Sequence, residues 1–268
     1  MLKIKIMTNK PVCIINDNVI SEKELIQQLN IYNQASVYEV IRVINKKAVF
    51  LREHYLRFAE SCRIVGQINF PEFEILQNQI DKLIILNNTQ IGNIRIDYFA
   101  DRLYLRFIPH SYPDAEMYKN GVEVMTFCAE RTNPNAKVVQ AMLREQTAEF
   151  IRKNQIYEAL LVNHNGEITE GSKSNVFFIR KGELYSAPLN SILHGITLLK
   201  VIEIANNKNI PIHFYPILKS ELADFEAVFI SGTSPKILPI CTVDSVNFNP
   251  NEPLLRQIMA TYDKMIGH

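Results

Sequence analysis

The sequence predicts an α+β protein with two mixed domains, residues 1–113 and 119–268, joined by a linker at residues 114–118. Three observations predict this fold class. Hairpin-like and helical periods of apolar residues follow one another irregularly in both halves, without a regular alternation of strand and helix. The chain contains neither a G-x-G-x-x-G segment nor a P-loop, which disfavours a Rossmann sheet. A polar stretch containing Pro113 interrupts both periods and predicts the linker.

Composition and charge exclude several classes of function. The chain has 268 residues, 47% of them hydrophobic, which is enough to bury a core. Its 29 Lys and Arg against 28 Asp and Glu give a net charge of +1, so no cationic excess favours nucleic acid or an anionic membrane. No apolar run approaches the roughly 18 residues of a bilayer-spanning helix. Cysteines without a C-x-x-C pair and histidines without ligand spacing predict a soluble cytoplasmic protein with no metal site.

In the first half, apolar periodicity predicts two helices and several strands that pair as hairpins. Residues 36–44 are rich in β-branched and aromatic side chains, as strands are. After Pro71, apolar residues recur at helical spacing. The predicted elements are strands at residues 1–6, 36–44 and 48–51, helices at 53–65 and after Pro71, and paired strands at 93–99 and 103–108.

The second half repeats this mixture of elements. The predicted elements are a strand at residues 121–127, a loop at 129–136, a helix at 139–153, strands at 159–163 and 176–180, a strand after the turn at 181–182, a helix after Gly195, strands at 210–215 and 227–231, and a last helix at 253–266. The inward face of the helix after Gly195 is predicted to carry Ile196, Leu199, Ile202 and Ala205.

The second half also carries an ordered series of short motifs. Lys137 stands between a polar loop and a predicted helix. After it come E-A-L-L-V-N-H-N-G-E-I-T-E-G-S-K-S-N-V-F at residues 158–177, H-G-I-T at 194–197 and G-T-S-P at 232–235. Any one of these motifs alone would carry little information, but the full series with its spacing is specific.

This order of motifs resembles the class IV aminotransferases, the fold-type IV family of pyridoxal-phosphate enzymes, over about residues 36–240. The family includes branched-chain aminotransferases, D-amino-acid aminotransferases and aminodeoxychorismate lyases. The resemblance implies the fold-type IV architecture, with pyridoxal 5'-phosphate as the cofactor and the second domain as the part that binds it.

The resemblance implies that Lys137 is the catalytic residue, which forms a Schiff base with the cofactor and moves a proton at the substrate α-carbon. A free lysine has a pKa of roughly 10.4, so burial and nearby cations must lower that value. Glu170 matches the carboxylate that faces the pyridine nitrogen and keeps the ring an electron sink. From the residues alone, Lys137 is more simply interpreted as an exposed loop lysine and Glu170 as a turn acid.

Phosphate binding is implied at the start of a predicted helix and at a turn. The first N–H groups of a helix have no partner within the helix and attract anions. The resemblance assigns phosphate contacts to Arg57, Gly195, Ile196, Thr197, Gly232 and Thr233. Without the resemblance, Gly195 is an ordinary helix-start glycine and Arg57 a solvated helix residue.

Substrate binding is implied at positions in both halves. Tyr38 lies in S-V-Y-E-V-I-R, residues 36–42, which resembles a strand that forms one wall of the family's substrate pocket. Arg95 resembles the arginine that meets the side-chain carboxylate of glutamate or 2-oxoglutarate in branched-chain enzymes. Thr233 and Ser234 would hold the substrate α-carboxylate. From the residues alone, Arg95 is equally an exposed strand arginine.

The chain departs from the family pattern at four places. Leu198 stands where an arginine commonly follows G-I-T, and Met142 stands where branched-chain enzymes have an aromatic residue. Gln34 and Ala35 replace a glycine-containing pair, and Ala100 lies near the position of an arginine in D-amino-acid enzymes. No single subfamily is matched throughout, so the cofactor is better specified than the substrate.

Three functions are compatible with these motifs. The leading one is an aminotransferase of amino-acid metabolism that moves an amino group between a branched-chain-like or D-amino acid and a 2-oxo acid. The alternative is 4-amino-4-deoxychorismate lyase, which gives 4-aminobenzoate and pyruvate. The third is a non-catalytic cofactor-binding homologue, against which the pair Lys137 and Glu170 argues. The resemblance further implies a homodimer, and the charge balance predicts neither a nucleic-acid nor a membrane partner.

Overall fold

The computed structural model describes residues 11–31 and 37–267 of the chain. The strand predicted at residues 1–6 lies outside these ranges, as do the departures at Gln34 and Ala35. Two sheets form the framework of the described part, one from the first half of the chain and one from the second.

In the described residues of the first half, the sheet has six strands and is accompanied by three helices. Its strands are β1 (Val12–Ile15), β2 (Asn18–Ser21), β3 (Val37–Ile44), β4 (Lys47–Ala48), β5 (Ile91–Phe99) and β6 (Arg102–Ile108). The helices are α1 (Glu22–Ile31), α2 (Leu51–Ile64) and α3 (Phe73–Asn87). The strand order is β2–β1–β6–β5–β3–β4, with every neighbouring pair antiparallel. One buried apolar cluster joins β3, β5 and β6 to α2 and α3.

The strand predicted at residues 48–51 is wrong beyond Ala48. Phe50 adopts a left-handed backbone with a φ of 52°, and Leu51 begins α2. The Phe50 ring leaves the sheet and packs 6.2 Å from the Tyr262 ring, centroid to centroid. A short apolar run in a sequence is compatible with either a strand or the start of a helix. Here the packing of Phe50 against Tyr262 accompanies the helix start at Leu51. β1, β2 and α1 were not predicted; the two strands have four residues each, which is too short to show a clear alternation.

The segment predicted as a linker, residues 114–118, is mostly helical. Asp114 caps helix α4 (Ala115–Asn120) by accepting a hydrogen bond of 2.9 Å from the Met117 N–H. Aspartate is a favoured N-cap residue, which explains why the helix begins here. The chain passes from the first sheet to the second across α4, while the division into two domains stays a prediction.

The second sheet has ten strands. They are β7 (Val122–Cys128), β8 (Glu158–Val162), β9 (Glu167–Gly171), β10 (Asn175–Arg180), β11 (Glu183–Ser186), β12 (Ile212–Phe214), β13 (Ile217–Leu218), β14 (Ala227–Gly232), β15 (Lys236–Val243) and β16 (Val246–Asn247). The helices are α5 (Ala141–Asn154), α6 (Ile196–Asn207) and α7 (Pro253–Met265), with 3₁₀ turns at Leu189–Ser191 and Lys219–Asp224. The order is β12–β11–β10–β14–β15–β7–β8–β9–β13, and β16 pairs with β15.

Parallel and antiparallel pairs occur together in the second sheet. β7 is parallel to β8 and β15, and β11 is parallel to β12, whereas the other pairs are antiparallel. The predicted α+β class is therefore confirmed. The sequence analysis missed β9, β13, β15 and β16. Pro239 disfavoured a strand at β15, because proline has no backbone N–H to donate to a neighbouring strand. In the structure β15 pairs with β7 only from Ile240 onward, so β7 needs no N–H from Pro239.

The inward face predicted for α6 is partly wrong. Ile196 and Ala205 are buried, but Leu199 is 40% exposed and Ile202 is half-buried. The other apolar residues of α6 that are buried are Leu198, Val201 and Ile204. The predicted residues are each three positions apart, whereas an α-helix has 3.6 residues per turn. Such a series therefore winds around the helix, and some of its members face away from the core.

No helix within residues 11–31 and 37–267 combines the length and the apolar character needed to cross a membrane. No group of three or more His, Cys, Asp and Glu side chains in those ranges is placed to hold a metal ion. All four cysteines are free thiols, of which Cys13 and Cys62 are buried and Cys128 is exposed.

Candidate active site

A cavity of about 560 Å³ is lined by residues of both sheets. Every residue that the sequence analysis placed in the site lines this cavity. These residues are Tyr38, Arg57, Arg95, Lys137, Glu170, Gly195, Ile196, Thr197, Gly232, Thr233 and Ser234. The fold thus brings together segments that are far apart in the chain, while the role of each residue stays a prediction.

Lys137 lies in the irregular segment between β7 and α5. Its backbone N–H donates to Ser61 Oγ at 3.0 Å, and the Tyr38 N–H donates to the Lys137 carbonyl at 3.0 Å. These bonds fix the Lys137 backbone against the first sheet and α2. Burial lowers the pKa of the Lys137 amine; Tyr38 opposes this shift, and Arg57 and Arg131 add to it. The amine therefore loses its proton more easily than an exposed lysine does.

The phenol of Tyr38 lies among three cations. Lys137 Nζ lies 4.7 Å from the ring centroid, and the guanidinium carbons of Arg95 and Arg144 lie at 4.7 and 4.8 Å. An Arg144 N–H also donates to the Tyr38 hydroxyl oxygen. Burial raises the pKa of Tyr38, but the cations, chiefly Lys137 and Arg144, outweigh burial and lower it to about 8. The sequence analysis missed Arg144, because no motif distinguishes it from any other helix arginine.

Glu170, on β9, is almost fully buried at the cavity wall. Arg131 Nε donates to Oε1 at 2.7 Å, and the Leu193 N–H donates to Oε2 at 3.3 Å. Burial raises the pKa of Glu170, and Arg131 opposes this shift. A carboxylate has about four lone-pair sites, so Glu170 can accept a further bond from a group in the cavity. Arg131 was missed because it lies in a polar loop 39 residues from its partner.

The start of α6 and Arg57 together form a place for an anion. Gly195 precedes α6, and no side chain caps the first N–H groups of this helix. Arg57 Nη1 donates to the His194 carbonyl at 3.1 Å, and Nε and Nη2 donate to the two oxygens of Glu39 at 2.7 Å. A guanidinium has five N–H donors, so donors remain for a ligand.

Glu39 orients Arg57 and was not predicted. Its carboxylate is fully buried and lies 2.8 Å from His54 Nδ1 as well as against Arg57. Burial alone would raise the pKa of Glu39, but Arg57 and His54 outweigh burial and hold it well below its usual range. An acid inside an apolar strand is the signal that could have indicated this role, because buried charges need partners.

The turn after β14 is held by a network from the first half of the chain. Asn93 Nδ2 donates to Ser234 Oγ at 2.9 Å, and the Tyr112 hydroxyl donates to Asn93 Oδ1 at 2.9 Å. Arg42 Nη1 donates to the Ser234 carbonyl at 3.1 Å. Nearby, Ser231 Oγ lines the cavity, is buried, and has no hydrogen-bond partner in the described part of the chain. Contacts from the first half of the chain thus position this turn, and the Ser231 hydroxyl beside it is left to bond a ligand.

Arg95 lines the cavity, but its guanidinium is already ion-paired. Nε and Nη2 donate to the Asp97 carboxylate at 2.6–2.9 Å. Asp97 also accepts from Arg106 Nη1 at 2.8 Å. The Nε and Nη2 side of the Arg95 guanidinium is therefore occupied by Asp97. The implied contact of Arg95 with a substrate carboxylate stays a prediction.

Two of the departures from the family pattern lie in the described part of the second half. Leu198 is buried in the apolar cluster of α6 and α7, so it offers nothing to the cavity. Met142 is 74% exposed and does not line the cavity. Neither side chain can take over the polar contact of the residue that it replaces.

Gly195→Ala is expected to weaken about tenfold the binding of the pyridoxal 5'-phosphate that the sequence resemblance implies, because a Cβ at Gly195 would overlap Asn175 Oδ1. Asn175 Nδ2 donates to the Leu193 carbonyl at 2.8 Å, so displacing Asn175 disturbs the entry to α6. Equilibrium titration of the apoenzyme with the cofactor measures the effect. In an Asn175→Ala background the clash is absent, and Gly195→Ala should then add little. An undiminished second loss would contradict the steric explanation.

An amino-transferase class IV family model matches residues 36–243. The chain belongs to the class IV aminotransferases. It is 29% identical over 252 residues to a D-alanine aminotransferase from Staphylococcus aureus strain N315, a match that covers 86% of this chain and 88% of that protein.

Two solved structures have the same fold as this class IV aminotransferase. A T.th. branched-chain amino acid aminotransferase with pyridoxamine 5'-phosphate has a TM-score of 0.83 at 22% identity, covering 96% of this chain and 95% of that chain. A protein from Legionella pneumophila that carries the name 4-amino-4-deoxychorismate lyase has a TM-score of 0.78 at 19% identity, covering 86% and 91%. The fold-type IV architecture is confirmed. The lyase alternative has only fold similarity, whereas the family match and the curated relative support an aminotransferase.

Class IV aminotransferases use pyridoxal 5'-phosphate, and the cavity of this one fits that cofactor. The uncapped start of α6 and the free donors of Arg57 suit a phosphate. The buried Ser231 hydroxyl offers a further unpaired polar group. The Glu170 carboxylate, paired with Arg131 at the cavity, suits a protonated ring nitrogen, and the lowered pKa of Lys137 suits an amine that reacts with an aldehyde.

Proposed function

We propose that this class IV aminotransferase transfers the amino group in the cavity between its two sheets, with Lys137 as the catalytic residue. The presence of Lys137 and Glu170 in the lining of one cavity supports the proposal, because a readily deprotonated amine then faces the same space as a buried carboxylate. The amino acid is branched-chain-like or a D-amino acid and the acceptor a 2-oxo acid. The D-alanine and branched-chain enzymes that this chain resembles support both choices.

Lys137 acts through its neutral amine. The lowered pKa increases the neutral fraction near pH 7, and a neutral amine is both a nucleophile towards the cofactor aldehyde and a base for the substrate α-proton. The bonds to Ser61 and Tyr38 hold the Lys137 backbone, so the side chain moves from a fixed point.

When bound, pyridoxal 5'-phosphate supplies an electron sink for negative charge at the substrate α-carbon. Arg57 and the α6 N–H groups bind the phosphate and orient the ring. Glu170, held in place by Arg131 and the Leu193 N–H, keeps a proton at the ring nitrogen. Thr233 and Ser234, in the turn after β14, bind the substrate α-carboxylate.

Glu170→Gln is expected to retain the cofactor and to slow α-proton removal about 100-fold, because an amide does not stabilise a proton at the ring nitrogen as a carboxylate does. Stopped-flow measurement of the amino-acid half-reaction, with an α-deuterated substrate, isolates that step. Glu167→Gln on the same strand is the matched control, because Glu167 bonds to Asn163 and does not line the cavity. An unchanged rate in Glu170→Gln would remove Glu170 from the mechanism.

The experiment that tests the proposed function is the visible spectrum of the holoenzyme before and after addition of a panel of D- and L-amino acids. Conversion of the bound cofactor to its pyridoxamine form by one class of amino acid establishes transamination and names the donor. A cofactor band that no amino acid converts, together with pyruvate release from 4-amino-4-deoxychorismate alone, would replace transamination with the lyase reaction. No bound band at all would refute both.

We also propose that the enzyme is a cytoplasmic homodimer. The family resemblance supports the dimer, and the four free thiols are compatible with a reducing compartment. Light scattering of the holoenzyme should give twice the mass of one chain, and a monomer with full activity would contradict the proposal.

A further inference from the structure

Of the four arginines that line the cavity, Arg144 alone lacks an acidic partner within the described ranges. The paired arginines and their partners are Arg57 with Glu39, Arg95 with Asp97, and Arg131 with Glu170. The residues outside the described ranges include no Asp or Glu, so no acidic side chain elsewhere in this chain is left to fill the role. Arg144 is therefore a guanidinium that faces the cavity with its charge uncompensated.

The guanidinium of Arg144 keeps most of its donors for a ligand. In the described part of the chain it donates one hydrogen bond, to the Tyr38 hydroxyl, and a guanidinium has five N–H groups. Arg144 is half-buried on α5, where a charge is incompletely hydrated. A carboxylate bound in the plane of such a fork forms short, charge-assisted hydrogen bonds. The geometry therefore favours an anionic ligand group at this wall.

Arg144 and Lys137 contact the same aromatic ring. The Arg144 guanidinium carbon and Lys137 Nζ lie 4.8 and 4.7 Å from the Tyr38 ring centroid, so both cationic groups border the part of the cavity next to Tyr38. The proposed α-carboxylate site is the turn of Thr233 and Ser234, where Ser234 is bonded by Asn93 and Arg42 and not by Arg144. Arg144 is therefore left to bind a second anionic group of the substrate.

We infer that Arg144, rather than Arg95, is the specificity-determining residue that binds the side-chain carboxylate of a dicarboxylic substrate in this cavity. This inference rests on the proposed function, because Lys137 marks the reacting atom. It transfers to Arg144 the role that the family resemblance implied for Arg95, whose fork is engaged by Asp97.

The test compares holoenzymes of the wild type, Arg144→Gln, Arg144→Lys and the control Arg152→Gln. Arg152 lies on the same helix, is exposed and does not line the cavity, so its replacement makes the same charge change outside the site. Half-reaction kcat/KM values are measured for aspartate, glutamate, alanine and leucine, with both enantiomers of each. Binding of glutarate and of butyrate to each holoenzyme, measured by calorimetry, supplies a readout that needs no turnover.

Arg144→Gln should lower kcat/KM for aspartate or glutamate about 10- to 100-fold, mainly through KM, and should weaken glutarate binding by a similar factor. Values for alanine, leucine and butyrate should change less than about threefold, Arg144→Lys should be intermediate, and Arg152→Gln should match the wild type. Equal losses for all ligands, or none for the dicarboxylates, would overturn the inference. If no amino acid converts the wild-type cofactor, the proposed function fails, and the glutarate binding data still decide the role of Arg144.

Discussion

Lys137→Ala is expected to lower the rate of the amino-acid half-reaction by about 10⁴-fold or more and to abolish the protein-bound visible band of the cofactor. The substitution removes the amine that we propose attaches the cofactor and takes the α-proton. Single-turnover absorbance with a reactive amino acid measures the rate. Methylamine in the buffer should restore part of it, since a free amine can replace the missing base.

Lys173 is the comparison residue, because it is the other lysine that lines the cavity. Lys173→Ala should keep the bound band, whereas Lys137→Ala loses it. If the two variants exchanged these results, the attachment site would be Lys173. If Lys137→Ala turned over at the wild-type rate, neither the catalytic assignment nor the motif spacing on which it depends would stand.

The resemblance that implied the site residues rests on short motifs, which are recognised without knowing the spatial partners of their residues. Local backbone chemistry by itself supports Gly195, which opens a helix, but leaves Lys137 an ordinary loop lysine. The α+β class followed in the same way from local periodicity. The order of strands in the second sheet did not, because strands such as β13 and β16 are only two residues long and exist through their neighbours.

The residues that were missed are defined by long-range partners. Arg131 meets Glu170 across 39 residues of sequence, and Arg144 meets Tyr38 across 106. No periodicity relates such positions, and an arginine in a loop or on a helix is most often solvated. Arg95 illustrates the same limit, since the resemblance implied a contact with a substrate carboxylate but gave no sign that Asp97, two residues away on the same strand, binds the Arg95 guanidinium. Charge pairing, rather than secondary structure, limits what one sequence predicts of this site.

Glu39→Gln is expected to lower the free energy of unfolding by about 3–5 kcal/mol at neutral pH and to weaken cofactor binding. The substitution leaves the buried Arg57 guanidinium without its counter-charge, and an uncompensated buried charge is costly. Arg57 also loses the two bonds that aim its remaining donors at the α6 start. Urea unfolding followed by circular dichroism, on apoenzyme and holoenzyme, measures both effects. Glu53→Gln is the matched control, because the partly exposed pair of Glu53 and Lys200 should contribute less than about 1 kcal/mol.

The pH dependence of the stability difference between the wild type and Glu39→Gln shows whether the charge of Glu39 or its packing is responsible. Arg57 and His54 hold the folded-state pKa of Glu39 below its usual 4.5, so the stabilisation is complete above that pH and is lost as pH falls through the folded-state pKa. The wild type and Glu39→Gln should therefore differ fully at pH 7 and converge progressively below about pH 4.5. A difference that stayed constant into acid would mean that the amide of the Glu39→Gln variant fails by packing. The carboxylate would then have no electrostatic part in holding Arg57 towards the anion site.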